Sequence, residues 1–174
     1  MKRVVLTGSE STGKTTLARE LASHFAAELV PEFVRQFAEA KGSAISFADH
    51  GPIARGQMAL EDEHIARASN LVVQDTDLLS TVVYCMHYFG RCPEWIVETA
   101  AARKPDLYLL CEIDLPWVED GVRDRGHLRG EMQQLFRDAV RASGVPFVVI
   151  TGAASERFDA AVRAISDRMN DDGR

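Results

Sequence analysis

Cysteine is scarce in this chain: Cys85, Cys92 and Cys111 are the only three in 174 residues, and none stands at CxxC spacing or in a Cys/His ligand pattern. An odd count without that spacing excludes a disulfide framework and a structural zinc site. It leaves small buried hydrophobes in a reducing compartment. Positive charge is short as well. Lys plus Arg number 20 against 26 Asp plus Glu, a formal net charge of −6, so the overall field repels nucleic acid rather than gathering it. Long apolar runs are missing: Met1, Lys2 and Arg3 lead straight into a segment too short for a signal peptide or a membrane helix. The expectation is a cytoplasmic protein without nucleic-acid or membrane partners. No repeat, low-complexity tract or linker breaks the chain, so residues 1–174 read as one domain, long enough to bury about 70% of its unfolded surface. Nothing in the pattern speaks to oligomeric state.

What is present begins with Gly8, Ser9, Glu10, Ser11, Thr12, Gly13, Lys14 and Thr15, the string GSESTGKT. Glycine, four residues, glycine, lysine and a hydroxyl is the phosphate-loop pattern. The glycines let backbone N–H groups wrap a phosphate chain, the lysine reaches the β and γ phosphates, and the hydroxyl ligates Mg²⁺. Lysine occurs only four times in the chain, which makes Lys14 a specific signal rather than a structural one. A glycine-rich turn without a ligand is the bland alternative. Context favours the phosphate loop, because an apolar strand precedes it and Leu17, Ala18, Leu21, Ala22 and Phe25 follow at helical spacing. The helix N-terminus adds its partial positive charge.

Short apolar runs without alternation recur at Val4–Thr7, Glu28–Val30, Leu71–Asp75, Leu107–Cys111 and Phe147–Thr151. Strands buried on both faces of a parallel sheet have that character. Helices between them imply right-handed crossovers and a three-layer α/β sandwich on a five-stranded parallel sheet. One helix is expected through Met132, Leu135, Phe136, Ala139 and Val140, stopped by Gly144 and Pro146. Others are expected over Leu78–Phe89, apolar nearly all round and therefore mostly covered, over Pro93–Arg103, and through Phe158 to Met169. A charged helix is read over Gly56–Ala68 with Met58, Ile65 and Ala68 as its inner side.

Several strings together resemble the kinase domain of the NadR family: GSESTGKT, VPEFVRQF at Val30–Phe37, QDTDLLST at Gln74–Thr81, YFG at Tyr88–Gly90, and LPWVEDGVR at Leu115–Arg123. The resemblance runs from about Val4 to Arg157. It implies a P-loop NTPase of the nucleoside and nucleotide kinase kind, with ATP and Mg²⁺ as cofactors and nicotinamide riboside as the acceptor. The adenylyltransferase domain of bifunctional members, with its HxGH motif, has no counterpart in this sequence, so a stand-alone kinase is expected. The alternatives are a kinase for another nucleoside or small hydroxylated metabolite, and a non-kinase ATP-binding regulatory protein. A GTPase switch is disfavoured by the lack of an NKxD motif, and an AAA+ motor by the short chain.

Phosphoryl transfer asks for alignment, Mg²⁺ and positive charge around the equatorial oxygens. Lys14 supplies fixed charge, Thr15 the metal-side hydroxyl, and Thr16 lies toward the α-phosphate. Glu32 falls just past the second strand, at the carboxyl edge where open α/β sheets bind ligands. Small-molecule P-loop kinases use a carboxylate there to orient or deprotonate the acceptor hydroxyl. The other reading is a surface glutamate paired with Arg35, which shares its helical face and could instead reach a phosphate. Asp75 ends the third strand in the manner of a Walker B carboxylate and would hold Mg²⁺ with Thr15. Asp77, two residues on, is read as facing the ribose and, compatibly with that, as a cap of the following helix. The arginine-bearing stretch 117–130 reads as a lid carrying Arg123, Arg125 and Arg129, or as a solvated loop. Tyr88 and Trp117 are candidate platforms for a cationic pyridinium ring, with core packing as the alternative. Thr151-Gly152 follows the fifth strand, where relatives place adenine, although an ordinary turn would explain the glycine equally.

Overall fold

The computed structural model describes residues 1–115 and 129–171. In chain order the elements are β1 (Lys2–Thr7), α1 (Lys14–His24), β2 (Glu28–Val30), α2 (Phe33–Lys41), a short 3₁₀ turn (Phe47–Asp49), α3 (His50–Arg67), β3 (Leu71–Asp75), α4 (Leu78–Phe89), α5 (Glu94–Ala102), β4 (Leu107–Cys111), α6 (Arg129–Ser143), β5 (Phe147–Ile150) and α7 (Ala154–Asn170). The five strands are all parallel, in the order β2-β3-β1-β4-β5. This is the expected sheet, with β1 two residues longer at its start and β5 one residue shorter at its end than the apolar runs indicate.

Alternation along each strand sorts the side chains into two layers. Val4, Leu6, Val73, Leu109, Cys111 and Ile150 pack against Leu17, Ala18 and Leu21 of α1 and Ala161 and Ile165 of α7. Val5 and Tyr108 face the other way with Val140 of α6 and Leu79 of α4, and Leu110 joins Val83, Met132 and Phe136 there. Burying each of these large side chains stabilises the fold by roughly 1.5–3 kcal/mol. The middle strand is thus covered on both faces. Its carboxyl end, where the phosphate loop begins, lies between the ends of β3 and β4, since Leu6 is in register with Asp75 and Thr7 with Leu110.

Two helices differ from their periodicity. α3 starts six residues earlier than Gly56, behind a capping box in which Ser46 and Asp49 bond reciprocally. Its buried stripe is His50, Ile53, Ala54, Gln57 and Glu61, with Met58, Ile65 and Ala68 only partly covered. The expected inner face is therefore rotated, because polar residues turn inward where partners wait for them. Glu61, 1% exposed, takes a 3.1 Å ion pair from Arg103. Burial, and secondarily the charge of Asp77, push its carboxyl above the ordinary range. α2 is the second case. None of its residues is fully buried: its apolar stripe, Phe33, Val34, Phe37 and Ala38, is only partly covered, and it stops at Gly42, which adopts φ 66° as a helix-terminating glycine does. α4 is less covered than its composition implies, with Met86 48% and Phe89 36% exposed.

Candidate active site

The phosphate loop is shaped by positions only glycine can fill. Gly8 adopts φ +129°, and a Cβ there would stand 2.6 Å from the Cys111 carbonyl oxygen. Gly13 adopts φ +77° and opens α1 as its N-cap. Lys14 folds back over the loop: its ammonium donates to the carbonyls of Gly8 at 3.0 Å and Ser9 at 2.5 Å and to Thr12 Oγ1 at 3.3 Å. Thr12 Oγ1 in turn donates to the Ser9 carbonyl at 2.9 Å. Ser9 Oγ donates to Glu10, which also accepts from Tyr84 on α4 at 3.4 Å. Ser11 holds φ 52°, and Thr16 is exposed on α1.

Side chains from α6 and α7 clamp this loop from outside. Gln133 accepts from Ser9 N at 2.9 Å and donates to the Cys111 carbonyl at 3.1 Å and to Glu112. One turn earlier Arg129 donates to the carbonyls of Ser11 at 3.3 Å and Leu115 at 3.2 Å. Arg157, 3% exposed, donates to the carbonyls of Thr12, Gly152 and Glu112, each at 2.9 Å, and pairs with Asp114. Gly152 thus stands beside the phosphate loop. Its φ of +95° and the Glu156 carboxylate, 2.5 Å from where a Cβ would be, account for the glycine through the turn. Sequence reasoning missed Gln133 and Arg157, since a polar residue within a helix reads as surface. The available signal was spacing, for Gln133 lies at i+4 from Arg129 and shares its face.

Thr15 and Asp75 meet where the loop passes β3: Thr15 Oγ1 donates to Asp75 Oδ2 at 2.6 Å. Asp75 Oδ1 is buried with no hydrogen-bond partner among the described residues. Burial, then the nearby charge of Glu32, raise the Asp75 carboxyl above its ordinary value, opposed by Thr15, Lys14 and Arg35. Glu32, 6% exposed, is the N-cap of α2 and takes an ion pair from Arg35 Nε at 3.0 Å. The structure therefore brings the phosphate loop, Asp75, Glu32 and Arg35 into one electrostatic neighbourhood at the carboxyl end of the sheet. The Glu32–Arg35 pair is one of the two arrangements the spacing allowed.

Asp77 caps α4, one of the two roles its position allowed: its Oδ1 accepts from Leu79 N at 3.0 Å, and its Oδ2 accepts from the Tyr108 hydroxyl at 2.7 Å, while burial pushes its carboxyl up. Tyr88 lies one turn beyond Tyr84, the two rings stacked at 6.2 Å, on the helix that borders Glu10. Of the lid residues, Arg129 begins α6 and braces the loop rather than standing in a solvated segment, so the expected span 117–130 overlaps that helix by two residues. Trp117, Arg123 and Arg125 lie outside the described residues.

Residues 3–157 match the family described as AAA domain. The chain belongs to that family. The match runs from the first strand to Arg157 and includes the phosphate loop. Within the family the chain is homologous to NadR, as the motif strings imply. Two curated proteins, each named trifunctional NAD biosynthesis/regulator protein NadR, are 29% identical: that of Salmonella typhimurium strain LT2 over 180 residues and that of Escherichia coli strain K12 over 178. The alignments cover 99% and 98% of this chain but 44% and 43% of those proteins, so the chain spans less than half their length. A crystal structure of NadR protein with NAD and AMP-PNP superposes with a TM-score of 0.79 at 24% identity, and one with NR at 0.78 and 25%; each covers 97% of this chain, and 49% and 52% of theirs. Thymidylate kinase from Ehrlichia chaffeensis shares the fold at a TM-score of 0.69 and 14% identity, covering 95% of this chain and 97% of its own. The architecture is that of a P-loop kinase of the nucleoside and nucleotide kind. No helix among the described residues is long and apolar enough to cross a membrane.

Proposed function

We propose that this protein is an ATP-dependent kinase that phosphorylates nicotinamide riboside to nicotinamide mononucleotide. The observation that carries the reading is the convergence of a carboxylate, Glu32, on the Thr15–Asp75 pair beside the phosphate loop, close enough for its charge to raise the Asp75 carboxyl. Homology to NadR, and the NR and AMP-PNP bound to NadR structures, support the choice of acceptor and of ATP as donor.

In this reading Gly8 to Thr16 cradle the triphosphate, Lys14 swings from its carbonyl contacts to the β and γ phosphates, and Gly152 borders the adenine. Glu32 accepts the proton of the ribose hydroxyl as that oxygen attacks the γ-phosphorus and the bond to the bridging oxygen of ADP breaks. Arg35 fixes Glu32 and offers charge to the acceptor side. Arg123 and Arg125, with Arg129 at the hinge into α6, neutralise the transferring group, while Tyr88 and Trp117 flank the pyridinium. A Mg²⁺ ion suits this site: Asp75 Oδ1 is a buried carboxylate oxygen with no described partner, beside a threonine hydroxyl, and both are hard oxygen ligands. Thr15 and Asp75 would hold it, and it would neutralise charge on the phosphates.

The test is a panel of acceptors with ADP release and product mass as readouts. Nicotinamide riboside is expected to accelerate ADP release and gain the mass of one phosphoryl group. Preference for another nucleoside would move the acceptor assignment. ADP release indifferent to every hydroxyl compound would overturn the kinase reading in favour of a nucleotide-binding regulator.

A further inference from the structure

Arg35 pairs with the Glu32 carboxylate from within α2, but the backbone that carries both is held only lightly by its own elements. β2 is an edge strand of three residues, paired only with β3, and its ladder ends at Val30 opposite Gln74, two residues short of Glu32. None of the residues of α2, which Glu32 caps, is fully buried, so it is not fixed by a core of its own. The Glu32 carboxylate makes no capping bond to its helix.

The support comes instead from α3. Phe33 N, one of the first N–H groups of α2 and without an intrahelical partner, donates to Gln57 Oε1 at 3.0 Å. Gln57 is 3% exposed. Its neighbour Gly56 receives the Phe33 ring so closely that a Cβ there would stand 2.1 to 2.5 Å from three ring carbons. The residue adjoining Glu32 is thus pinned by its backbone and by its side chain to two consecutive positions of one helix. Two turns further along α3, His64 Nδ1 lies 2.8 Å from the Glu28 carboxylate at the start of β2, so α3 grips the Glu28–Phe33 segment at both ends.

We infer that Gln57, with Gly56 beside it, is a positioning residue that sets where the Glu32 carboxylate stands; this rests on Glu32 being the base. A displacement of about 1 Å at such a group lowers turnover by as much as about a hundredfold. The substitution Gln57→Leu removes the acceptor for Phe33 N. It also removes an amide nitrogen, Nε2, that has no partner among the described residues, which offsets part of the cost of leaving Phe33 N without its acceptor.

The experiment is a double-mutant cycle on kcat at saturating ATP and nicotinamide riboside, using wild type, Gln57→Leu, Glu32→Gln and the double variant. Gln57→Leu should lower kcat by roughly tenfold to a hundredfold with the KM for ATP within about twofold. In the Glu32→Gln background it should cost less than about twofold more. The same loss in both backgrounds, an unchanged kcat, or a loss confined to ATP affinity would overturn the inference. Gln57→Met, matched in length, serves if Gln57→Leu does not fold. Near-normal kcat in Glu32→Gln alone sinks the assignment of the base itself, a result distinct from full additivity, which sinks only the positioning role.

Discussion

The phosphate loop is clamped by side chains from α4, α6 and α7, through Tyr84, Gln133, Arg129 and Arg157, whereas the Glu32 segment leaves a three-residue edge strand and enters a helix with no fully buried residue. The loop is held by long side chains reaching in from three helices, the Glu32 segment mainly through one, α3. The difference follows from the tasks. A triphosphate has one shape, so its cradle gains from being fixed before the ligand arrives, with glycines under hard contact and backbone groups already aimed. An acceptor must enter and leave, and segments that move are drawn from the parts of a fold with few buried contacts. It also follows that donor binding and acceptor chemistry should separate under mutation.

The largest effect is expected at the donor side. Lys14→Ala should reduce kcat by about a hundredfold or more, while thermal unfolding stays a single cooperative transition, because Lys14 packs on the loop surface and belongs to none of the apolar clusters. Retention of full turnover would remove the phosphate loop from the reaction and break the comparison.

A smaller and subtler effect concerns Asp75. Its carboxyl lies above the ordinary value of 3.8 through burial and the charge of Glu32, so folding favours the protonated form. That contribution to stability is full below 3.8, and it is lost as pH rises through the raised folded value. Asp49, held down to about 2 by Lys41 and Ser46, acts oppositely and in a lower window, between about 2 and 3.8. Without nucleotide, the melting temperature of Asp75→Asn minus that of wild type should therefore grow as pH rises above the ordinary carboxylate range. Turnover should be lost in the same variant. Because burial contributes as well as Glu32, the comparison is repeated in a Glu32→Gln background, where the rise should shrink; a rise of the same size there would mean that Glu32 and Asp75 do not share a field, and the two halves do not meet there.

The same contrast governs how much the amino-acid sequence reveals. The strands declared themselves because the inner ones, β1, β3 and β4, are buried along most or all of their length and need apolar runs, and GSESTGKT because phosphate wrapping admits few residues. Glu32 and Asp75 were read from their positions at strand ends, which a parallel sheet carries to one edge, Thr15 from the phosphate-loop pattern and Arg35 from its spacing to Glu32. What stayed hidden was polar and helical. Gln57, Glu61, Gln133 and Arg157 are each buried against a specific partner, the Phe33 N–H, Arg103, the Ser9 N–H and the Thr12 carbonyl, and pattern alone assigns such residues to the solvent face. Asp77 was legible as a cap, and its second oxygen went to Tyr108, a partner 31 residues away that no local rule supplies. α2 was read only through the Glu32–Arg35 spacing, although Phe33, Val34, Phe37 and Ala38 stand at helical spacing along it.

The most direct measurement is Glu32→Gln, read at once for ATP binding and for acceptor-dependent ADP formation. The account predicts that ATP affinity stays within about twofold of wild type while acceptor-dependent turnover falls by about a hundredfold or more. Near-normal turnover at saturating nicotinamide riboside, or an equal loss in ATP affinity, would contradict the division of the site into a clamped donor side and an acceptor side ruled by Glu32.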